Sequence, residues 1–307
     1  MNRLLVASLV IVSFVAPTNA QLMIPDSGVG DRVMLFDSFN GSLIDVNWIT
    51  DAGAVGWFFT TPKEAMVVGN EIWVSDQVAD AIHRFDMNRN FLGSVTAHPA
   101  GGTLDNIRGM GTDGSKVYVT VFHGTAARRG IAVYNTAGVP ADFLFRDASL
   151  FDAEPFRGDL LVSSSTSNNI ERWDINGNFL NNFRAGVVFP QQVAILPDDS
   201  VLAVSTIAAQ GIEGVYHLNP DGSLRLFIDT QGIKDEFGEV VPRGAFLLGN
   251  GNYIISSSIG VFTYNPGANT FARVLGGVDA QYITLLPEPG AILLLGLAGG
   301  ARIRRRR

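Results

Sequence analysis

The sequence predicts an all-β fold: six four-stranded blades in a ring, a β-propeller closed by a C-terminal strand that completes the N-terminal blade. Three observations carry this. First, an apolar strand, a short loop, a strand ending in an aromatic plus Asp or Asn, a turn and a further strand recur six times. Second, the residue ending the third strand of each copy falls at Asp37, Asp86, Asn135, Asp174, Asn219 and Asn265, at spacings of 49, 49, 39, 45 and 46. Periods of about 40–50 residues built from short strands mark propeller blades. Third, the first copy lacks a first strand, and a spare apolar segment stands beyond the last copy.

The copies follow one another along the chain. The first spans 22–46 and opens directly on its second strand. The others span 71–95, 116–145, 159–183, 200–227 and 252–274. Their second strands (72–74, 117–121, 160–162, 201–204 and 253–255) are apolar at consecutive positions. That fits strands covered on both faces by neighbouring blades. Turn chemistry agrees. Asn40-Gly41, Asn176-Gly177 and Asp221-Gly222 follow the third strand, while Asp113-Gly114 and Asn250-Gly251 precede the second; both pairings are hairpin signals. First strands are placed at 63–68, 107–111, 153–156, 191–196 and 243–248. The spare segment 280–286 (AQYITLL) is similar to 191–197 (QQVAILP) and supplies the missing strand of the first blade. Closure of this kind is expected to remove free sheet edges and to tie the two termini together. A seven-bladed ring is the alternative, but no seventh copy is found.

Composition narrows the function classes. Of 307 residues, 47% are apolar and 17% charged, so a packed core is expected rather than disorder. Cysteine is absent, which excludes disulfides, thiolate metal sites and a cysteine nucleophile. Between residues 21 and 286 there are 16 basic and 28 acidic residues, a balance of −12. So acidic a body argues against nucleic acid as a partner, because phosphate neutralisation needs basic surface.

Both ends read as processing signals. Residues 1–20 have the order of a signal peptide: Arg3, a 13-residue apolar run over 4–16, then Thr18 and Ala20 at −3 and −1 of a cut before Gln21. At the other end, Pro287, Glu288 and Pro289 precede an apolar stretch over 290–301. Arg302, Ile303 and Arg304, Arg305, Arg306 and Arg307 follow. This order resembles the PEP-CTERM sorting signal of exported proteins of Gram-negative bacteria, with 287–307 as the signal. The resemblance implies transient inner-membrane insertion and cleavage by an exosortase-type membrane protease. It also implies a place at the cell surface or in the medium, linked to exopolysaccharide and biofilm. The arginines would stay cytoplasmic by the positive-inside rule. Twelve apolar residues form a helix of about 18 Å against a hydrocarbon core of roughly 30 Å. Arginine snorkelling and local thinning would have to close that gap.

The repeat itself resembles NHL-like and gluconolactonase-like six-bladed propellers. That likeness is one of strand grammar and carries no activity. Gly109, Gly111 and Gly114 match G-x-G-x-x-G, but a strand follows where a dinucleotide site needs a helix. Asp86-x-Asn88-x-Asn90 and Asp174-x-Asn176-x-Asn178 are similar to the start of a calcium loop. They have Phe91 and Phe179 at the glycine position and Ala97 and Ala185 at the final glutamate position, so they read as turns. His83, His98, His123 and His217 show no metal-ligand spacing, and there is no G-x-S-x-G elbow. No residue is assigned a catalytic role.

One constellation is drawn together by the predicted topology. In a propeller the starts of first strands and the ends of second strands share one face near the axis. This places Glu64, Asp76, Arg108, His123, Glu154, Gln192 and Arg243 as a polar axial ring able to hold a sugar or another polar ligand. The expectation is an exported, surface-associated binding protein without a cofactor. Its partners would be extracellular polysaccharide or matrix proteins, with the sorting protease in transit. The alternative, implied by the gluconolactonase-like resemblance, is a hydrolase or lyase with one divalent metal, calcium or zinc, on the axis.

Overall fold

A computed structural model describes residues 20–28, 30–206 and 213–287. The leader up to residue 19 and the sorting signal beyond Pro287 lie outside the described residues. Six four-stranded antiparallel sheets make up the fold. Blade 1 holds β1 (Gln21–Asp26), β2 (Arg32–Asp37) and β3 (Leu43–Thr50). Blade 2 holds β4 (Pro62–Val68), β5 (Glu71–Asp76), β6 (Ala81–Asp86) and β7 (Phe91–Val95). Blade 3 holds β8 (Ile107–Thr112), β9 (Lys116–Val121), β10 (Gly130–Asn135) and β11 (Pro140–Phe145). Blade 4 holds β12 (Leu150–Phe156), β13 (Asp159–Ser164), β14 (Asn169–Asp174) and β15 (Phe179–Ala185). Blade 5 holds β16 (Pro190–Ile195), β17 (Val201–Ser205), β18 (Gly214–Leu218) and β19 (Leu224–Asp229). Blade 6 holds β20 (Pro242–Leu247), β21 (Tyr253–Ser257), β22 (Gly260–Asn265) and β23 (Thr270–Gly276). The last strand, β24 (Thr284–Leu286), pairs with β1 and completes blade 1.

Six apolar clusters hold the ring, one in each gap between neighbours. Blades 1 and 2 meet through Met23, Val33, Ile72 and Phe85, and blades 6 and 1 through Ile24, Met34, Ile254 and Val261. The other four gaps are filled in the same way. This is why second strands read as continuous apolar runs: both faces are covered. Outer strands face solvent, and β15 is exposed over Phe179–Asn182.

The recurrent Asp of the third strand is a turn device. Oδ1 of Asp86 accepts the amide N–H groups of Asn88 and Asn90, each at 2.8 Å, and Oδ2 accepts Asn90 Nδ2 at 2.8 Å. Asp174 repeats this with Asn176 and Asn178. Both carboxylates are thus used by their own loops.

The closing strand and the link between blades 5 and 6 differ from the sequence reading. The closing strand is three residues long rather than seven. The Ile283 N–H is taken by Oε1 of Gln192 at 3.0 Å, so the ladder starts only at Thr284. Ala280 still bridges to Asp26, and the Gln281 N–H donates to Pro25 O at 2.8 Å. A short helix, α1 (Gln231–Phe237), lies between blades 5 and 6, buries Ile233 and packs Phe237 on Phe262. No helix of the described residues is long and apolar enough to cross a membrane.

Candidate functional site in the axial channel

The site grows from the way each first strand begins. A register irregularity follows the first residue of β4, β8, β12, β16 and β20. A bulge of this kind re-aims side chains, and here it delivers two successive residues to the axis. The outer of the two layers holds Lys63, Arg108, Phe151, Gln191 and Arg243, with Gln281 of the closing segment. The inner layer holds Glu64, Gly109, Asp152, Gln192 and Gly244, with Tyr282.

The outer layer crosses the axis. Lys63 Nζ of blade 2 donates to Gln281 Oε1 at 2.7 Å and to Gln191 Oε1 of the opposite blade 5 at 3.3 Å. It also sits 4.8 Å from the Tyr282 ring centre. Tyr282 OH reaches Phe151 O of blade 4 at 3.3 Å. Arg108 donates to Ser149 Oγ (2.9 Å) and Leu150 O (3.0 Å) and lies 3.8 Å from the centre of the Phe151 ring. Arg243 Nε stands 3.6 Å from Asp279 Oδ1 without a hydrogen bond. Burial, and then the charges of Arg243 and Arg108, push the Lys63 amine well below its ordinary range. Burial lowers Arg108 to about 10.

The inner layer follows one bonding rule. Glu64, Asp152 and Gln192 each accept a backbone N–H from the first strand of the next blade: Glu64 Oε2 from Met110, Asp152 Oδ2 from Val193 at 2.8 Å, and Gln192 Oε1 from Ala245 at 3.2 Å. The glycines leave the room. A Cβ on Gly109 would stand 2.3 Å from Asp152 Oδ1, and one on Gly244 2.4 Å from Gln192 Oε1.

Three carboxylates converge here. Glu64, Asp152 and Glu154 each offer an oxygen within 4.8 Å of the others. Glu64 is fully buried, and its Oε1 has no hydrogen-bond partner. Burial, then Asp152 and Glu154, push the Glu64 carboxyl well above its ordinary range. Burial raises Asp152 to about 7. Glu154 is raised by burial and then by Asp152. Glu64 and Glu154 border a cavity of about 240 Å³ that extends past Met66, Met110 and Phe246 to Thr112, Leu285 and Pro287.

Of the residues expected in the ring, the structure brings Glu64, Glu154 and Gln192 to this cavity, with Arg108 and Arg243 in the outer layer. Asp76 and His123 are engaged by loops instead. The oxygens of Asp76 accept the N–H groups of Thr60 (2.6 Å), Thr61 (3.0 Å) and Ala79 (3.0 Å). His123 Nδ1 accepts the Thr125 N–H at 2.8 Å. The cavity also lies toward the ends of the first strands, not their starts, because Lys63 and Tyr282 close the axis at the start side. Asp152 was missed by the sequence reading, which began that strand at Ala153. A signal existed: β4, β16 and β20 all begin with proline, and aligning Leu150 with Pro62 sets Asp152 level with Glu64.

No known protein family matches the chain, and no curated protein matches it in sequence. Solved structures do. A protein of unknown function from Bacteroides caccae shares 14% identity at a TM-score of 0.59, over 88% of this chain and 100% of the other. A chain of a nidogen/laminin complex gives the same identity and TM-score, over 87% and 98%. The likeness is one of fold. A chain of the Kuenenia stuttgartiensis hydrazine synthase follows at 13% identity and a TM-score of 0.52, over 72% of this chain and 67% of that one. Identities this low speak for a shared propeller fold and for nothing finer.

Proposed function

We propose that this protein is an exported, surface-associated propeller that works as a binding module for an extracellular polysaccharide or another matrix component. The observation that carries the binding role is the axial pocket: a cavity closed on one side by the Lys63 layer, with a buried, unpartnered carboxylate oxygen at its floor. A concave site with a few convergent polar groups and displaced pKa values is the ordinary form of a ligand site. Support for the address comes from the leader and from the PEP-CTERM-like tail, which would be cut by an exosortase-type protease. A screen of the purified protein against immobilised polysaccharides tests the role; the expected result is saturable binding to at least one, and uniform failure would reject it. Fractionation with terminal sequencing tests the address. A mature chain starting at Gln21 outside the cytoplasm is expected, and an intact cytosolic chain would overturn the export reading.

A second reading is favoured by the carboxylate cluster: an exported hydrolase or lyase with one divalent metal. Glu64, Asp152 and Glu154 would hold it. Their all-oxygen donor set fits calcium rather than zinc, which prefers nitrogen and sulfur. Such an ion would act as a Lewis acid.

A further inference from the structure

We infer that the axial pocket takes a protonated primary amine carried on a compact body, the chemistry of a de-N-acetylated amino sugar. The inference rests on the binding reading above and names its ligand class. Three observations point the same way. The first is a cluster of acids without a hydrogen-bonded cation. Glu64, Asp152 and Glu154 converge within 4.8 Å. The nearby cations are committed elsewhere: Lys63 to two glutamine oxygens, Arg108 to Ser149 and Leu150, and Arg243 beside Asp279. None of them hydrogen-bonds a floor carboxylate. An ammonium group has three N–H donors: Glu64 Oε1 and the Glu154 carboxyl border the cavity as acceptors, while Asp152, whose oxygens accept the N–H groups of Ala153 and Val193, stands behind them as a third acid.

The second observation is the orphaned oxygen. Glu64 Oε2 is used by the Met110 N–H, whereas Oε1 is buried and has no donor. Buried acceptors are almost always satisfied, so this atom marks where a donor belongs. The third is the wall. Met66, Met110, Phe246 and Ile283 line the cavity beside the acids. These side chains cover carbon–hydrogen faces well and offer nothing to the water shell of a small hydrated ion. They favour a cation with an organic body over a metal. At about 240 Å³ the cavity lies just below the range of roughly 300–1,000 Å³ common for small-molecule pockets. One sugar-sized unit fits that volume. Because the Lys63 layer closes the far side, the ligand enters by a chain end or a branch rather than threading through.

Calorimetric titration of the purified full chain tests this with four probes: glucosamine, N-acetylglucosamine, Nα-acetyl-lysine and calcium chloride. Glucosamine should saturate one site. N-acetylglucosamine should bind at least tenfold more weakly, since its nitrogen carries no charge. E64Q and D152N should each weaken glucosamine at least tenfold, with circular dichroism verifying the fold. If either fails to fold, E154Q serves, because Glu154 has no hydrogen-bond partner among the described residues. Several results would overturn the inference: no glucosamine binding, equal binding of the acetylated sugar, tighter binding of the lysine derivative, or calcium saturating a site that glucosamine does not displace. The last would favour the metal reading. Polysaccharide binding that survives E64Q and D152N, without glucosamine binding, would reject the amine site and leave the binding role standing.

Discussion

Asp152 carries more of the site than any other residue. One oxygen holds the Val193 N–H of the next blade, and the carboxyl also faces Glu64 and Glu154. Burial raises it from 3.8 to about 7. Between those two values the folded state keeps a proton that the unfolded chain has released. The folded state therefore binds more protons, and its stability falls as pH rises through that window. Asparagine cannot ionise, so D152N escapes this loss. Melting followed from pH 5 to pH 8 should show the variant gaining on the natural protein, by a few kcal/mol in order of magnitude. A difference that stays constant over the range would contradict the raised carboxyl. Gly109 is the other decisive position. A methyl group there would meet Asp152 Oδ1 at 2.3 Å and Phe151 O at 2.7 Å. Gly109→Ala should cost roughly 1–3 kcal/mol or more through overpacking, read by urea denaturation. An unchanged midpoint would mean that the carboxylate stands elsewhere.

At the scale of elements, the loop from blade 1 to blade 2 shows a carboxylate used for architecture. Trp57 stacks on Phe91 at 5.1 Å, and Trp57 and Phe59 both meet Phe85. Asp76, the last residue of β5, ties this loop down through the N–H groups of Thr60 and Thr61. Burial pushes its carboxyl up, but His83 and the N–H groups of Ala79, Thr60 and Thr61 outweigh that and hold it below its ordinary value. Asp76→Ala strands those donors and should cost roughly 2–4 kcal/mol, with glucosamine affinity unchanged. A stable variant that has lost glucosamine would instead return Asp76 to the ligand site. The inner strands were legible because covered faces demand long apolar runs, and the turns because Asp-Gly and Asn-Gly have special backbone needs. Other elements were hidden for equally physical reasons. Aspartate is disfavoured in strands, so the sequence reading opens β12 at Ala153, three residues late, and the third acid is lost with it. The helix α1 has seven residues, too few for a 3.6-residue period to show. Glu64 and Glu154 could be picked out as polar residues on first strands. Their convergence with Asp152 depends on bulge geometry, which leaves no compositional mark.

For the whole molecule, the decisive feature is that its ring is fastened by its last strand. Residues after blade 6 do three jobs at once. Leu286, Leu285 and Thr284 pair with Gln21, Leu22 and Met23. Val278, Tyr282, Ile283 and Leu286 bury apolar side chains. Tyr282 also plugs the axis and Ile283 is clasped by Gln192. At roughly 1.5–3 kcal/mol for each large buried side chain, the segment accounts for an amount comparable with the whole stability of a domain, about 5–15 kcal/mol. Nothing comparable ties the ring beyond Leu286 among the described residues. A chain ending at Gly277 should therefore lose cooperative unfolding altogether, because both β1 and the axial plug are left without partners. A chain ending at Pro287 should melt within a few degrees of the full-length protein. Thermal melts by circular dichroism compare the two. Equal stability of both truncations would mean that blade 1 stands without its fourth strand, and the closure drawn here would be wrong. Loss of folding in both would move the fastening into the tail itself.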